Sequence, residues 1–436
     1  MPSPNFMKRV LILHYHEIWL KGGNKRYFLS RLIAAVKRAL ADLPVEAPQF
    51  VCDRLLLVPR DEATLLVTRE RLRRVFGLAY IATAREVAGD LGALAPAACE
   101  LMAEKNPRTF AVRAKIADAR YGMNSMDLER ALGQAILDHL RARGSTVQVK
   151  LGEPQVTCWV EVLPGKALVY TDRMEGAGGL PAATSGRVVA LLSGGFDSAV
   201  AAYKMMRRGA HVAFVHFFGP PSASRGSSKP IAEEIVRVLT PYQFTSRLYL
   251  VPFDSIQRQI VAAAHESLRV LLYRRMMARI AREIAQAERA LGLVTGDSVS
   301  QVASQTLHNL AALDRGLDFP LYRPLAGDDK AEILKLARQI GTYQISCEPF
   351  EDCCPRFLPR SPAIFTRAEQ LHQAEAGLDV EGLVALGLEG VSVFEYRFEN
   401  GQVSAHAAMP RRFQNLLARR KSLPGPVLLP RAVPEP

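Results

Sequence analysis

ALLSGGFDS, residues 190–198, is the stretch of sequence that decides the fold of the C-terminal half of the chain. The apolar run Val188–Leu192 predicts a buried strand, and Ala199–Arg208 predicts a helix directly after it. The two glycines between them allow backbone amides to approach an anion closely, and the helix N-terminus adds the positive end of a dipole. The stretch therefore predicts a phosphate-binding turn, although it lacks the Gly-Lys-Ser/Thr ending of the usual P-loop. The simplest alternative is a glycine turn without a ligand.

Strand and helix patterns alternate on the C-terminal side of this turn. Apolar runs predict strands at 211–217, 248–252 and 291–295, and helical periodicity predicts helices at 231–239, 268–290, 302–313 and 330–340. Such alternation is typical of an α/β doubly wound parallel sheet, whose ligands bind beyond the carboxyl ends of the strands. We assign this domain to residues 187–371.

The N-terminal part has a different pattern, in which short strands and helices form smaller α+β units. We predict one unit over 1–75 and a second over 76–172, followed by a linker rich in Gly and small residues over 173–186. Residues 372–436 form a C-terminal extension of unassigned role. Its basic, Pro-rich end, from Arg411 onwards, predicts partial disorder.

The formal net charge of +13 favours a polyanionic partner, although a basic enzyme without a nucleic-acid partner has a similar composition. No apolar run is long enough to span a bilayer, and the first residues do not resemble a signal peptide. Six cysteines in 436 residues are too sparse for a secreted disulfide framework. These features predict a cytoplasmic protein with free thiols and no membrane partner.

A second polar segment follows the predicted strand 291–295. It reads Gly296-Asp297-Ser298-Val299-Ser300-Gln301 and continues to Gln305, so a strand again ends in glycine. Upstream, Arg274 and Arg275 lie on a predicted helix rich in Leu and Met. A phosphate-binding role for this pair and a solvated helix face are both consistent with the pattern. Asp197 would repel a phosphate, so we expect it to orient the loop or to hold Mg²⁺.

Seven motifs are spread along the chain: EIWLKGGNKRYF at 17–28, GGLP at 178–181, SGGFDS at 193–198, LYRRMM at 272–277, QVASQT at 301–306, IGTY at 340–343 and EDCC at 351–354. Together they resemble the tRNA 4-thiouridine synthetase (tRNA sulfurtransferase) family, over roughly residues 8–365. The Ser193–Ser198 loop itself resembles the pyrophosphate loop of adenylating α/β hydrolases. Aspartate at position 297 departs from the family's usual Gly-Glu-Ser-Leu-Gly-Gln.

The resemblance implies a ferredoxin-like domain, a THUMP RNA-binding domain and a PP-loop ATP pyrophosphatase domain, in that order. It further implies that tRNA is the partner and that ATP, with Mg²⁺, adenylates O4 of a uridine, at position 8 in the family. Sulfur from a cysteine persulfide then replaces the oxygen. By motif match, the nucleotide contacts would be Leu191, Leu192, Ser193, Gly194, Gly195, Asp197, Ser198, His216, Phe217, Arg274, Gly296 and Gln305.

The persulfide would form on Cys354 or, as the second candidate, on Cys353, with Arg356 favouring the thiolate and Cys347 a lesser candidate for a resolving thiol. No Cys-x-x-Cys pair is present, so we predict no metal site. No cysteine follows Cys354, so we expect a short form without the rhodanese domain found in some family members. Sulfur would then come from a cysteine desulfurase, a carrier protein or free sulfide. A role in thiazole synthesis is unsupported, and a homodimer stays open.

Two other functions remain open at this point. The same adenylation could act on a different tRNA base or on a small amide, although the basic N-terminal half favours RNA. Alternatively, the chain could be a tRNA-binding protein with a degenerate nucleotide fold, which the intact loop argues against.

Overall fold

A computed structural model describes residues 9–219, 226–351 and 362–421. The chain divides into two compact units, residues 1–181 and 182–436. Over the described residues, no helix has the length and apolar character needed to cross a membrane.

The N-terminal unit is built on one sheet. Its described strands are β1 (Arg9–His14), β2 (Gln49–Val51), β3 (Arg54–Leu57), β4 (Tyr80–Val87), β5 (Thr109–Ile116), β6 (Gln148–Val149), β7 (Val156–Leu163), β8 (Lys166–Tyr170) and β9 (Arg173–Glu175). They are ordered β2-β3-β1-β4-β8-β7-β5-β6, and β9 also pairs with β4. Because β4 pairs with β1 and with β8, the sheet runs without a break through both predicted N-terminal domains.

Four helices pack on this sheet, and a 3₁₀ segment, Glu17–Asn24, precedes the first of them. They are α1 (Lys25–Ala39), α2 (Glu62–Leu72), α3 (Leu91–Lys105) and α4 (Ser125–Ala142). Asp61, Asp90 and Asn124 cap the last three by accepting hydrogen bonds from backbone amides of the first turn. One core of the unit joins apolar faces of α3 and α4 to strands β5 and β7.

A buried ionic cluster lies on the sheet of the N-terminal unit. The Glu161 carboxylate accepts hydrogen bonds from Arg54 and, at 2.7 Å, from the Tyr170 hydroxyl, and it lies 3.1 Å from the His14 ring. Burial acts to raise the pKa of Glu161, but His14, Arg54 and Tyr170 together lower this pKa to about 2. Burial lowers the pKa of His14, so its ring is neutral near pH 7.

The C-terminal unit contains a mostly parallel sheet. Its described strands are β10 (Arg187–Leu191), β11 (His211–Phe218), β12 (Gly226–Ser227), β13 (Thr245–Pro252), β14 (Leu293–Val294), β15 (Leu321–Tyr322), β16 (Phe350–Glu351), β17 (Ser392–Glu399) and β18 (Gln402–Ala407). The main sheet is ordered β15-β14-β10-β11-β13-β17-β18, whereas β12 and β16 form a separate parallel pair. Strand order reverses between β10 and β14, which is where ligands bind in such sheets.

Helices connect and cover these strands. They are α5 (Phe196–Arg207), α6 (Lys229–Gln243), α7 (Asp254–Ala263), α8 (Arg269–Ala287), α9 (Leu307–Asp314), α10 (Lys330–Ile340), α11 (Tyr343–Ser346), α12 (Ala368–Glu375), α13 (Val380–Glu389) and α14 (Arg411–Lys421). The α/β prediction is confirmed. Helix α8 is the central packing element, because its apolar face contacts the sheet while α7, α13 and α14 pack around it.

Three sequence predictions are wrong in part. The predicted linker begins with strand β9, and Gly176 packs so closely against the backbone of Leu78 that a Cβ would lie 2.3 Å from its carbonyl oxygen. The C-terminal extension is ordered through Lys421: β17 pairs with β13, and Arg411–Lys421 is helical rather than disordered. The predicted helix 302–313 begins only at Leu307, because Ala303–Gln305 forms a 3₁₀ turn and Thr306 caps the helix. Residues 422–436 lie outside the described part.

Candidate functional site

The Ser193–Ser198 loop joins β10 to α5 and is held by its own serines. The hydroxyl of Ser198 accepts a hydrogen bond from the Ser193 amide at 3.2 Å and donates one to the Gly195 carbonyl at 2.9 Å. The Gly195 amide donates to the Ser193 hydroxyl at 3.3 Å. The first amides of α5 have no acceptor within the helix, so they are available to an anion at this turn.

Gly296 brings the second strand end against this loop. It follows β14, the strand next to β10, and a Cβ at this position would lie 2.6 Å from the Ser198 amide nitrogen. Glycine is therefore required for the approach of the two backbones rather than for an unusual backbone conformation. The two polar segments predicted from the sequence consequently meet at one place.

A cavity of about 500 Å³ lies between these segments, a volume typical of small-molecule sites. One part of its wall is polar and includes the loop, and another part is apolar. The apolar side chains are Leu191, Leu192, Phe217, Met277, Ala278, Val302, Leu313, Leu317 and Leu321. The cavity can thus hold a molecule that has both an apolar ring and an anionic group.

Asp297 organises the polar wall. Its carboxylate is almost completely buried and accepts hydrogen bonds from Arg274 at 2.6 Å, Thr295 at 2.8 Å and Gln305 at 3.2 Å, with Arg323 at 3.3 Å. Burial alone would raise the pKa of Asp297, but the two arginines and Thr295 hold it below the ordinary value. The carboxylate is therefore ionised at neutral pH and fixes the guanidinium of Arg274 in the cavity wall.

Asp197 is paired at the start of α5. Both of its carboxylate oxygens lie 3.2 Å from the ammonium nitrogen of Lys330, the first residue of α10, and Gln301 donates to one of them at 3.4 Å. The Lys330 ammonium also lies 4.2 Å from the ring centroid of Phe196. These contacts place a cation from α10 beside the loop.

The described residues contain no cluster of His, Cys, Asp and Glu able to hold a metal ion. Both carboxylate oxygens of Asp297 accept hydrogen bonds from protein donors. Both carboxylate oxygens of Asp197 face the ammonium group of Lys330. Neither carboxylate fits a dedicated magnesium cage. Magnesium would therefore have to be held mainly by nucleotide phosphates, as is usual for this ion.

The structure brings most of the predicted nucleotide contacts together. Leu191, Leu192, Ser193, Asp197, Ser198, Phe217, Arg274, Gly296 and Gln305 line the cavity, whereas Gly194, Gly195 and His216 do not. Gly194 and Gly195 shape the turn itself. His216 is fully buried, with Nδ1 2.8 Å from the Leu192 carbonyl oxygen and Nε2 2.9 Å from the Ser228 hydroxyl.

The adjacent arginines on α8 have different surroundings. Arg274 points into the cavity wall and donates to the Ser304 carbonyl at 2.9 Å. Arg275 is buried, lies 3.2 Å from the Glu375 carboxylate and packs against Gly316, where a Cβ would meet its guanidinium. The phosphate-binding hypothesis for the pair is therefore wrong for Arg275, because successive helical residues point in different directions.

The cysteines differ in environment. Cys99 and Cys158 lie in the core of the N-terminal unit, where burial raises the pKa of both thiols, that of Cys158 to about 12. Cys52 and Cys347 are exposed, and Cys347 directly follows α11. The predicted persulfide positions, Cys353 and Cys354, and their neighbour Arg356 lie outside the described residues.

The N-terminal unit presents basic and aromatic side chains around α1. The exposed basic residues of this helix are Arg26, Arg31, Lys37 and Arg38, opposite its buried apolar face. Trp19 and Tyr27 are about half exposed, and the ammonium of Lys25 lies 3.5 Å from a Trp19 ring centroid. Exposed cations beside aromatic rings are the composition of many single-stranded nucleic-acid surfaces.

Sequence reasoning missed several residues of the site. Lys330 and Arg323 reach it from segments far along the chain, and neither lies within the seven motifs that carry the family resemblance. The apolar wall formed by Leu313, Leu317 and Leu321 was missed because isolated leucines in the sequence indicate only burial. A signal for Lys330 was available in the capping box that starts its helix, since Asp329 and Glu332 fix Lys330 at its first turn.

Comparisons with known proteins agree with this organisation. Family models described as "ThiI ferredoxin-like domain", "THUMP domain" and "Thiamine biosynthesis protein (ThiI)" match residues 10–82, 88–172 and 183–380. The chain is 43% identical over 390 residues to the "Probable tRNA sulfurtransferase" of Thermus thermophilus, covering 89% of this chain and 94% of that one. It is 37% identical to the protein of the same name from Caldanaerobacter subterraneus, covering 87% and 97%.

Two solved structures are also similar. One is described as a 4-thiouridine synthetase–RNA complex with bound ATP and is 32% identical, with a TM-score of 0.76 and coverage of 88% of this chain and 99% of that one. The other, PH1313 from Pyrococcus horikoshii, is 21% identical with a TM-score of 0.57, covers 76% and 99%, and shows the fold alone. From its fold, the geometry of its loop and these similarities, the chain belongs to the ThiI family, with ferredoxin-like, THUMP and PP-loop parts.

Proposed function

We propose that this protein is a cytoplasmic, ATP-dependent tRNA sulfurtransferase that converts a tRNA uridine, at position 8, into 4-thiouridine. The observation that carries the proposal is the cavity formed where the Ser193–Ser198 loop meets Gly296, part of whose wall is apolar. A purine ring fits the apolar wall, and the loop amides and Arg274 fit phosphates. The similar structure with bound RNA and ATP supports the same assignment.

The first step is adenylation. The uridine O4 attacks the α-phosphorus of ATP, the bond between this phosphorus and the bridging oxygen breaks, and pyrophosphate leaves with that electron pair. The N3 proton of the base passes to solvent and returns to the base when 4-thiouridine is formed. Amides at the start of α5 are placed to stabilise the departing charge. The Asp197–Lys330 pair holds the loop and offers a cation beside it. Magnesium bound to the phosphates would neutralise further charge.

The second step is sulfur transfer. The terminal sulfur of a persulfide on Cys354 or Cys353 attacks C4, the C4–O4 bond breaks, and AMP leaves with the oxygen. The resulting mixed disulfide is resolved when a second thiol attacks the cysteine sulfur, which releases 4-thiouridine and leaves a disulfide between the two thiols. An external thiol reductant then restores both cysteines. If free sulfide attacks C4 directly, the product forms without this redox cycle.

The test is a reconstituted reaction. Purified protein is mixed with unmodified tRNA transcript, Mg-ATP and either sulfide or a cysteine desulfurase with cysteine, and nucleosides are analysed by mass spectrometry. We expect ATP-dependent 4-thiouridine with both donors. Pyrophosphate release without thiouridine would indicate a different acceptor base or donor, and neither product would favour the tRNA-binding protein.

The cysteine assignment has its own test. With the desulfurase and a thiol reductant, we expect Cys354→Ala to abolish thiolation, while Cys52→Ala, an exposed thiol of the N-terminal unit, is unaffected. Because sulfide bypasses the persulfide, it should restore product in Cys354→Ala. Full desulfurase-dependent activity in both Cys353→Ala and Cys354→Ala would refute the persulfide mechanism.

A further inference from the structure

A buried hydrogen-bonded chain leads from the phosphate-binding loop to β12. It begins at the Leu192 carbonyl, directly before Ser193, and passes through both ring nitrogens of His216 to the hydroxyl of Ser228. His216 and Ser228 are 0% and 1% exposed, so water does not compete for these bonds. Leu192 lines the cavity, whereas neither His216 nor Ser228 does.

The Leu192 carbonyl fixes the direction of the first of these bonds. A carbonyl oxygen can only accept, so Nδ1 of His216 donates a hydrogen bond to Leu192. In the neutral ring Nε2 carries no proton, and the Ser228 hydroxyl then donates to it. Ser228 precedes α6 and occupies its N-cap position, yet its side chain makes no capping bond. Its hydroxyl, which serine normally uses to cap a helix, is here directed to His216.

Ser228 also adjoins the pairing of β12 with β16. Ser227 lies opposite Glu351 in this two-residue parallel ladder. Cys353 follows Glu351 by two residues and Cys354 by three. The cysteines therefore follow β16 closely in the sequence. Strand β16 pairs with β12, and the residue after β12, Ser228, is connected through His216 to the start of the Ser193–Ser198 loop.

We propose that Ser228 is a positioning residue for sulfur transfer. Through His216 it holds β12, and with it β16, in a fixed place relative to the Ser193–Ser198 loop, so that the thiol chemistry occurs beside the adenylated base. The inference rests on the proposed function. The two chemical steps then depend on different groups. The loop and the cavity wall serve adenylation, whereas the Ser228–His216 hydrogen bond serves sulfur transfer.

The experiment compares the two steps in single turnover, with enzyme in excess over tRNA and the desulfurase as donor. We expect Ser228→Ala to release tRNA-dependent pyrophosphate within about threefold of the wild-type rate, because the cavity wall is unchanged. The 4-thiouridine formed per pyrophosphate should fall at least about tenfold, as expected for a misplaced reacting group. Ser228→Thr, which keeps the hydroxyl, should restore the ratio.

Ser246→Ala is the matched control. Ser246 is equally buried in the same unit and accepts hydrogen bonds from Thr240 at 2.9 Å and Gln243 at 2.8 Å, away from the loop. Ser246→Ala should lose about as much thermal stability as Ser228→Ala. It should nevertheless form as much 4-thiouridine per pyrophosphate as the wild-type protein. A parallel fall of both products in Ser228→Ala, or an equal fall of the ratio in Ser246→Ala, would overturn the positioning role. Absence of thiouridine from the wild-type protein would overturn the proposed function, and the inference with it.

Discussion

Replacing Gly296 by alanine should impair pyrophosphate release and also destabilise the protein. The added Cβ would lie 2.6 Å from the Ser198 amide nitrogen and 2.8 Å from the Asp197 carbonyl carbon. Ordinary contact begins at 3.4 Å, so the two backbones must separate by about 0.8 Å. Both neighbours are backbone atoms at the start of a helix, so they cannot move aside as a flexible side chain would.

The displacement falls on the amides that we assign to pyrophosphate. A misplacement of about 1 Å costs roughly a hundredfold in rate, which corresponds to about 2.7 kcal/mol in the barrier. We therefore expect tRNA-dependent pyrophosphate release by Gly296→Ala to fall between about tenfold and a hundredfold. The overpacking should also lower stability by about 1–3 kcal/mol.

The assay follows pyrophosphate at saturating tRNA over a range of ATP concentrations, with thermal melting in parallel. Gly327→Ala is the control, because a Cβ at this exposed loop glycine meets no atom within 4 Å. It should match the wild-type protein in both measurements. If Gly296→Ala turned over ATP at the wild-type rate, the loop would not be the phosphate site and the proposed adenylation would lose its structural basis.

Four further predictions follow from the charged groups. Arg274→Ala should raise the ATP concentration needed for half-maximal turnover, because this guanidinium lies in the cavity wall. Arg275→Ala should instead mainly destabilise the protein, by about 0.5–3 kcal/mol, because it removes a buried side chain and one of the two arginines that pair with Glu375, the other being Arg279. Similar kinetic losses in both variants would contradict this contrast. Asp297→Asn should also weaken ATP binding, since it removes the charge that fixes Arg274, and unchanged ATP dependence would refute that role. Glu161 has a pKa of about 2 against an ordinary 4.5, so it contributes about 3 kcal/mol at neutral pH, and this stabilisation is lost as the pH falls from 4.5 towards 2. Urea unfolding of Glu161→Gln should therefore show lower stability at pH 7 and a flatter profile below pH 4.5 than the wild-type protein. Finally, the affinity for tRNA should fall steeply with salt, and a flat response would argue against phosphate contacts.

Local signals in the sequence predict the C-terminal sheet well. Helix α10 begins and ends where predicted because a capping box starts it and Gly341, with φ of 84°, ends it. Helix α9 was predicted five residues too early, because Val302 and Ala303 fit its apolar period although their backbone turns before Thr306 caps the helix. Strand β17 was missed because its pairing with β13 joins residues about 150 positions apart, and no local pattern reports such a partner.

The candidate site was predictable in its backbone parts. Glycines at strand ends carry a local signal, and Gly296 meets the Ser193–Ser198 loop as the parallel topology requires. The role of Asp297 could not be predicted from the sequence, because only the fold shows that four donors converge on its carboxylate. His216 was predicted as a nucleotide contact, yet both of its ring nitrogens are used within the protein.

The shared strand β4 has a consequence for how the N-terminal unit can be divided. Its residues pair with β1 on one side and with β8 on the other, so the boundary between the two family domains runs through a hydrogen-bonded ladder. Cleavage there would create two fragments with unpaired strand edges, which invite aggregation. We expect the ferredoxin-like and THUMP parts to unfold as a single cooperative block, visible as one common level of amide hydrogen-exchange protection across β1, β4 and β8. Evolution could therefore exchange this block as a whole more easily than either of its parts.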